Sequence, residues 1–192
     1  MSIVGQSVQR IDAVSKVTGE ALFPGDINKP NQAYLKILFA GRPHALVRQV
    51  DTSKAEALAG VLAVFTAKDV PVNEYGLILT DQPVLCGPGS SKMYADHVRF
   101  EGDQIALVVA DSEEIAARGK DLIRVEFEDL PVITDTVAAM ASGSEAQTGV
   151  SRIHPEQDSN ILCHYRIRKG DVDSAFQQCD VMIEGEYRTP YQ

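Results

Sequence analysis

Residues Ile105 to Ala110 carry six consecutive apolar side chains, Ile-Ala-Leu-Val-Val-Ala. A run this short with no polar face reads as a central strand, because only the interior of a sheet hides both faces of a strand from water. The residues after it are equally directive. Ser112 is a good N-cap, and Glu113 and Glu114 suit the positive end of a helix dipole. Ile115, Ala116, Leu122 and Ile123 recur at helical spacing, predicting a helix of about 11 residues weakened by Gly119. Val125 and Phe127 then alternate with Glu126 and Glu128 as a strand, which Leu130-Pro131 closes.

Upstream, residues 1–19 read as loop, and Gly19-Glu20-Ala21-Leu22-Phe23 enters a short apolar segment. Ala33 to Ala40 reads as a strand with Leu35, Ile37 and Phe39 on one face. Gly41-Arg42-Pro43-His44 turns the chain, and Leu46 to Val50 continues as a second strand. Ser53 with Glu56 forms a capping box for a helix that Gly60 stops. Val61 to Phe65 is a buried strand, and Thr66-Ala67-Lys68-Asp69 is one capped turn. Residues 71–97 hold Pro71, Gly76, Pro83, Gly87, Pro88 and Gly89 without firm periodicity. A connection that long inside a compact domain is usually functional or mobile. Strand pattern resumes over Val98 to Phe100.

Beyond about Ser142 the composition shifts to Gly, Ser, Gln and Pro, and residues 142–160 read as a linker. Two alternating segments follow, Ile161-Cys163-Tyr165-Ile167 and Val181-Ile183-Tyr187, each with polar residues between. A short helix near Asp173 to Gln178, capped by Asp171 or Asp173, joins them. Two strands and one helix rarely stand alone, so this part reads as the opening of a further domain.

Composition narrows the function classes. With 18 Lys+Arg against 27 Asp+Glu the net charge is −9, which disfavours a phosphate-coating nucleic-acid binder. Trp is absent and aromatics total 6 %, which weakens a base-stacking platform. No apolar run approaches the roughly 18–20 residues of a spanning helix, and Met-Ser-Ile-Val-Gly-Gln-Ser lacks a secretory start. The expectation is a soluble, cytoplasmic protein with no membrane and no nucleic-acid partner.

Cys86, Cys163 and Cys179 are widely spaced, which is neither a disulfide framework nor a metal-ligand set. Cys163 lies on an alternating apolar face and reads as a buried structural thiol. His44, His97, His154 and His164 show no zinc spacing. His44 reads as a turn or packing residue, and His164 as exposed. Gly87-Pro88-Gly89-Ser90-Ser91-Lys92 lacks the spacing of a phosphate loop. Glu126, Glu128 and Asp129 read as a solvated strand face rather than an acid–base pair. No catalytic, cofactor-binding or metal residue emerges from these patterns.

A series of phrases in order carries a resemblance. They are Arg10-Ile11-Asp12-Ala13, Lys16-Val17-Thr18-Gly19-Glu20-Ala21, Pro43-His44-Ala45, Val50-Asp51, Gly60-Val61 and Val64-Phe65-Thr66-Ala67. Further on come Asp81-Gln82-Pro83, Val98-Arg99-Phe100-Glu101-Gly102-Asp103, Val108-Val109-Ala110 and Val125-Glu126-Phe127-Glu128-Asp129-Leu130-Pro131. The last are Gly170-Asp171-Val172-Asp173, Ala175-Phe176 and Pro190-Tyr191-Gln192. Together they resemble the N-terminal part of the molybdenum-binding large subunit of the xanthine dehydrogenase/aldehyde oxidase family.

The resemblance implies an α+β fold. An α/β hammerhead domain with a mixed sheet and packed helices would occupy residues 15–141, after an N-terminal extension over 1–14. A linker over 142–160 and the start of a molybdopterin-binding domain over 161–192 would follow. It implies a molybdenum hydroxylase that hydroxylates an aromatic heterocycle or oxidises an aldehyde with oxygen from water. This segment would then be scaffold and subunit contact, inactive alone, within an oligomer. Molybdenum–molybdopterin would be held by residues outside it, and [2Fe–2S] clusters and FAD by partner domains or subunits. Leu77 and Ile78, in the stretch matching the substrate-channel segment of relatives, are the channel candidates. The contrasting expectation is a stand-alone adaptor module that reuses the fold without redox chemistry.

Overall fold

The computed structural model describes residues 3–77, 80–141 and 149–189. Its contacts divide into two units, Met1–Thr134 and Asp135–Gln192. In the first unit the elements are α1 (Ala13–Thr18), β1 (Tyr34–Phe39), β2 (Ala45–Asp51), α2 (Ser53–Glu56), β3 (Val61–Thr66), β4 (His97–Val98), β5 (Gln104–Ala110), α3 (Glu113–Leu122) and β6 (Arg124–Asp129). The α+β class expected from the sequence holds, but no sheet is mixed: every described strand pair is antiparallel. The strands divide into two sheets, ordered β1-β5-β3 and β4-β2-β6.

The apolar run Ile105–Ala110 is the central strand of the first sheet, paired with β1 on one side and β3 on the other. Ala106, Val108 and Ala110 are fully buried, and Ala106 and Val108 share a core with Ala55 of α2 and Ile123 at the end of α3. Ser112 caps α3 by accepting from the Ile115 amide at 3.2 Å. Gly119, which costs helix propensity, sits where α3 touches the sheet. A Cβ there would lie 2.9 Å from Val108 Cγ1 and 3.2 Å from Val61 Cγ2, so the glycine sets how closely the helix packs. The second core joins Ala45, Val47, Val98, Ile105 and Cys86, so it spans both sheets.

Several local expectations shift. Residues 1–19 are not all loop, because α1 forms where Asp12 pairs with Lys16 at 2.6 Å and Arg10 at 2.9 Å. That helix buries no residue, so it leaves no apolar periodicity to read. Ser53 is the first residue of α2 rather than its cap. The Asp51 carboxylate accepts from the Ser53 amide (3.0 Å) and hydroxyl (2.7 Å), which holds it below the usual carboxylate range. Thr52 stands at the N-cap, and its hydroxyl meets Glu56 at 2.6 Å. The strand expected over Val98 to Phe100 ends at Val98. Asp103 accepts the Arg99 amide at 2.6 Å and the Phe100 amide at 3.3 Å, which turns the chain there.

In the second unit, α4 (Thr136–Ala139) is capped by Asp135, and α5 (Val172–Gln177) by Asp171, the first of the two expected caps. Asn160 braces its own segment, accepting the Ile153 amide and donating to the Ser151 carbonyl, both at 3.0 Å. The alternating segments 161–168 and 181–188 are not strands. Neither has a ladder partner among the described residues, and both lie exposed. An alternating pattern states a need for burial, and pairing must come from elsewhere. Cys163 is therefore exposed rather than buried, for the same reason.

Candidate functional site

The long connection 71–97 is braced through one buried amide. Asn73 is only 2 % exposed. Its Oδ1 accepts the Leu85 amide at 2.9 Å, and its Nδ2 donates to the Leu85 carbonyl at 2.8 Å. The side chain thus imitates a strand partner across 12 residues of loop. The second Nδ2 proton goes to Ser90 Oγ at 2.9 Å, and Ser90 Oγ in turn accepts the Lys92 amide at 3.2 Å. Two residues above the Asn73 rung, Tyr75 and Gln82 exchange backbone bonds of 2.8 and 3.2 Å. These two rungs make a narrow ladder whose tip carries Gly76 and Leu77 on one side and Thr80 and Asp81 on the other.

Lys92 ties the tip down. Its Nζ donates to the Thr80 carbonyl at 3.1 Å and lies 3.5 Å from a Glu74 carboxylate oxygen. An open recess of about 280 Å³ lies beside it, lined by Pro71, Val72, Asn73, Glu74, Ser91 and Lys92. Below, Leu85 and Cys86 are buried, and the Cys86 amide donates to the Gln104 carbonyl, fastening the loop to β5. Gly89 takes φ +87°, and a Cβ there would come within 2.9 Å of Lys68 Cβ. The Gly-Ser-rich stretch is therefore fitted against the turn Ala67–Asp69. Ser90 Oγ accepts twice and Lys92 Nζ donates once inside the loop.

Leu77 stands fully exposed at the ladder's tip. Ile78 lies outside the described residues. The sequence reading missed Asn73, Ser90 and Lys92, which build the platform. A polar Asn within a Pro-rich loop carries no periodic signal, and its burial exists only after the loop folds back.

The chemistry of the surroundings is quiet. Burial pushes the Cys86 thiol up, with the Asp103 carboxylate adding to it, so this sulfur is no nucleophile at neutral pH. Burial raises Asp103 too, against the bonds it accepts from the Arg99 and Phe100 amides. His44 is buried, as a packing role requires, and its Nδ1 donates to the Pro131 carbonyl at 2.7 Å. A carbonyl can only accept, so Nδ1 carries a proton, while the buried Nε2 has no hydrogen-bond partner among the described residues. His164, Glu126, Glu128 and Asp129 are exposed, as expected. Among the described residues no three His, Cys, Asp or Glu side chains gather as a metal site. No described helix is long and apolar enough to cross a membrane.

Comparison with known proteins gives this architecture its place. Residues 18–131 match the family model described as "Aldehyde oxidase and xanthine dehydrogenase, a/b hammerhead domain". A probable xanthine dehydrogenase subunit of Bacillus subtilis is 40 % identical over 95 % of this chain and 23 % of its own length. "Nicotinate dehydrogenase large molybdopterin subunit" of Eubacterium barkeri is 33 % identical over 97 % of this chain and 40 % of its own. Among solved structures, the aldehyde oxidoreductase of Desulfovibrio gigas superposes with a TM-score of 0.67 at 28 % identity, covering 90 % of this chain and 19 % of that one. The chain spans less than half the length of each of these relatives. The phrases from Arg10 to Asp173 and the two-sheet fold have the same explanation: this chain belongs to the aldehyde oxidase and xanthine dehydrogenase family, and its α/β hammerhead domain lies within residues 18–131.

Proposed function

We propose that the chain is the hammerhead-bearing part of a molybdenum hydroxylase large subunit. Such an enzyme hydroxylates an aromatic heterocycle or oxidises an aldehyde, taking oxygen from water. The observation that carries this reading is the match to a named large molybdopterin subunit along 97 % of the chain. In this reading residues 15–141 are the hammerhead domain, 142–160 a linker, and 161–192 the start of the molybdopterin-binding domain. The enzyme works in the cytoplasm, in an oligomer with [2Fe–2S] and FAD domains or subunits.

The described residues do not themselves fit a molybdenum or iron–sulfur site, since they offer no clustered donor set. Their contribution is structural. The Asn73 and Lys92 braces fasten the described flanks of the loop, and in this reading Leu77, with Ile78 beside it in sequence, lines the approach to the substrate channel. A positioned apolar side chain on a stiff platform selects by shape without taking part in chemistry.

The test is metal analysis of the protein purified from its own cells through a tag on this chain. Molybdenum and molybdopterin should co-purify near one equivalent, while isolated residues 1–192 should hold neither. A purified native protein free of molybdenum would overturn the reading.

A further inference from the structure

One side chain in the first unit reaches both flanks of the loop at once. Lys92 Nζ donates to the Thr80 carbonyl at 3.1 Å on the descending flank, and lies 3.5 Å from a Glu74 carboxylate oxygen on the ascending flank. Both partners adjoin the Tyr75–Gln82 rung, Glu74 just before Tyr75 and Thr80 shortly before Gln82. The Lys92 side chain is only 16 % exposed, so its attraction for the carboxylate is less screened than that of an ordinary surface pair. Its backbone is anchored separately. The Lys92 amide donates to Ser90 Oγ, which also accepts from the buried Asn73, and Gly89 at φ +87° seats the stretch against Lys68. Leu77 lies between the two tied residues in sequence and is fully exposed. An apolar side chain held outside the core adds nothing to the unit's own burial, so these polar ties serve something other than its packing.

We infer that Lys92 is a specificity-determining positioning residue: by tying Glu74 to Thr80 it fixes how Leu77 projects, and with it the ring size that the substrate channel admits, an inference that rests on the functional reading above. A lysine suits the task. Its ammonium offers three donors on a flexible stem, so it can hold a carbonyl and a carboxylate that share no common plane. Those two partners engage the ammonium, so Lys92 acts on a substrate through Leu77 and not by touching the reacting atoms. A fixed apolar wall reads one extra ring by the surface it buries or the clash it imposes, and a wall that yields reads it less sharply. Releasing this clasp leaves the Asn73 bonds and the Tyr75–Gln82 rung in place, so the loop persists while Leu77 loses its fixed station. Admission of substrate is a matter of binding, so the signature of Lys92 lies in KM rather than kcat.

Kinetics of the holoenzyme, purified from the protein's own cells through a tag on this chain, test this. Pyridine carbaldehyde and pyrimidine serve as one-ring probes, and quinoline carbaldehyde and purine as two-ring probes. Lys92→Met keeps the stem and removes the donors, and Glu74→Gln removes the charge partner at an exposed position. Equal molybdenum content and matching melting curves check that each enzyme is assembled. The wild type should prefer one ring size in kcat/KM. In Lys92→Met that preference should fall about threefold or more through KM, with kcat held within about twofold. Glu74→Gln should move the preference the same way, and it decides the matter if Lys92→Met does not assemble. A wild type without ring-size preference, or a preference that survives the substitution, would overturn the inference and leave the functional reading standing. A loss confined to kcat would do the same. No turnover of any probe by molybdenum-loaded wild type would overturn the functional reading and the inference together.

Discussion

A single carboxamide decides the shape of the longest irregular segment. Asn73 uses both donors and its carbonyl on Leu85 and Ser90 while almost fully buried. Truncation would strand the Leu85 amide and carbonyl in a dry site, and an orphaned buried polar group costs about 1–3 kcal/mol. Asn73→Ala should therefore lower stability by about 2 kcal/mol and shift the urea midpoint without changing its slope. Asn73→Asp keeps the acceptor but loses both donors, and should be no better. Amide exchange at Leu85 should accelerate roughly thirtyfold in either variant, the rate equivalent of that energy. Unchanged exchange at Leu85 would show that the loop holds without this brace. By contrast, His44 was legible from sequence as a packing residue, since Arg42-Pro43 before it fixes a turn. Its bond to Pro131, 87 positions away, was not.

At the scale of elements, the sequence shows where helices and strands lie but not how closely they approach. The run Ile105–Ala110, the Ser112 cap and the alternation Val125–Phe127 all became the elements they predict, because each signal is local and periodic. Gly119 reads as a weakness in α3 when only the helix is considered. Against the sheet it is the contact point, with room for a hydrogen and no more. Gly119→Ala gains up to about 1 kcal/mol of helix propensity but forces a methyl against Val108 and Val61, and overpacking a β-branched core costs about 1–3 kcal/mol. The net effect should be destabilising by about 1–2 kcal/mol, read as a lowered melting temperature. A stabilised Gly119→Ala variant would mean that α3 rides farther from β5 than the structure places it. The shift of the α2 cap from Ser53 to Thr52 and Asp51 has a similar origin. Three neighbouring oxygen-bearing residues compete for the same amides, and the geometry at the end of β2 chooses between them.

Across the whole molecule the two units differ in how their apolar residues are used. The first buries two connected cores, whereas in the second Leu162, Tyr165, Ile167, Val181, Ile183 and Tyr187 are exposed. Without ladder bonds, amides in 161–168 and 181–188 should exchange at nearly unfolded rates in residues 1–192, while those of β5 are protected to the limit of global unfolding. Protection of both segments in the isolated chain would contradict the structure. Both alternations were legible, but the strands expected from them do not form, because the pattern supplies no pairing partner. Sequence alone determined the periodic elements, the Ser112 cap and the family phrases, because each depends on neighbours within a few positions. Tertiary structure alone decided the division into two sheets, the Asn73 and Lys92 braces and the tight seat of Gly119. Those depend on which distant segments meet, and a side chain's burial is a property of its partners rather than of its own pattern.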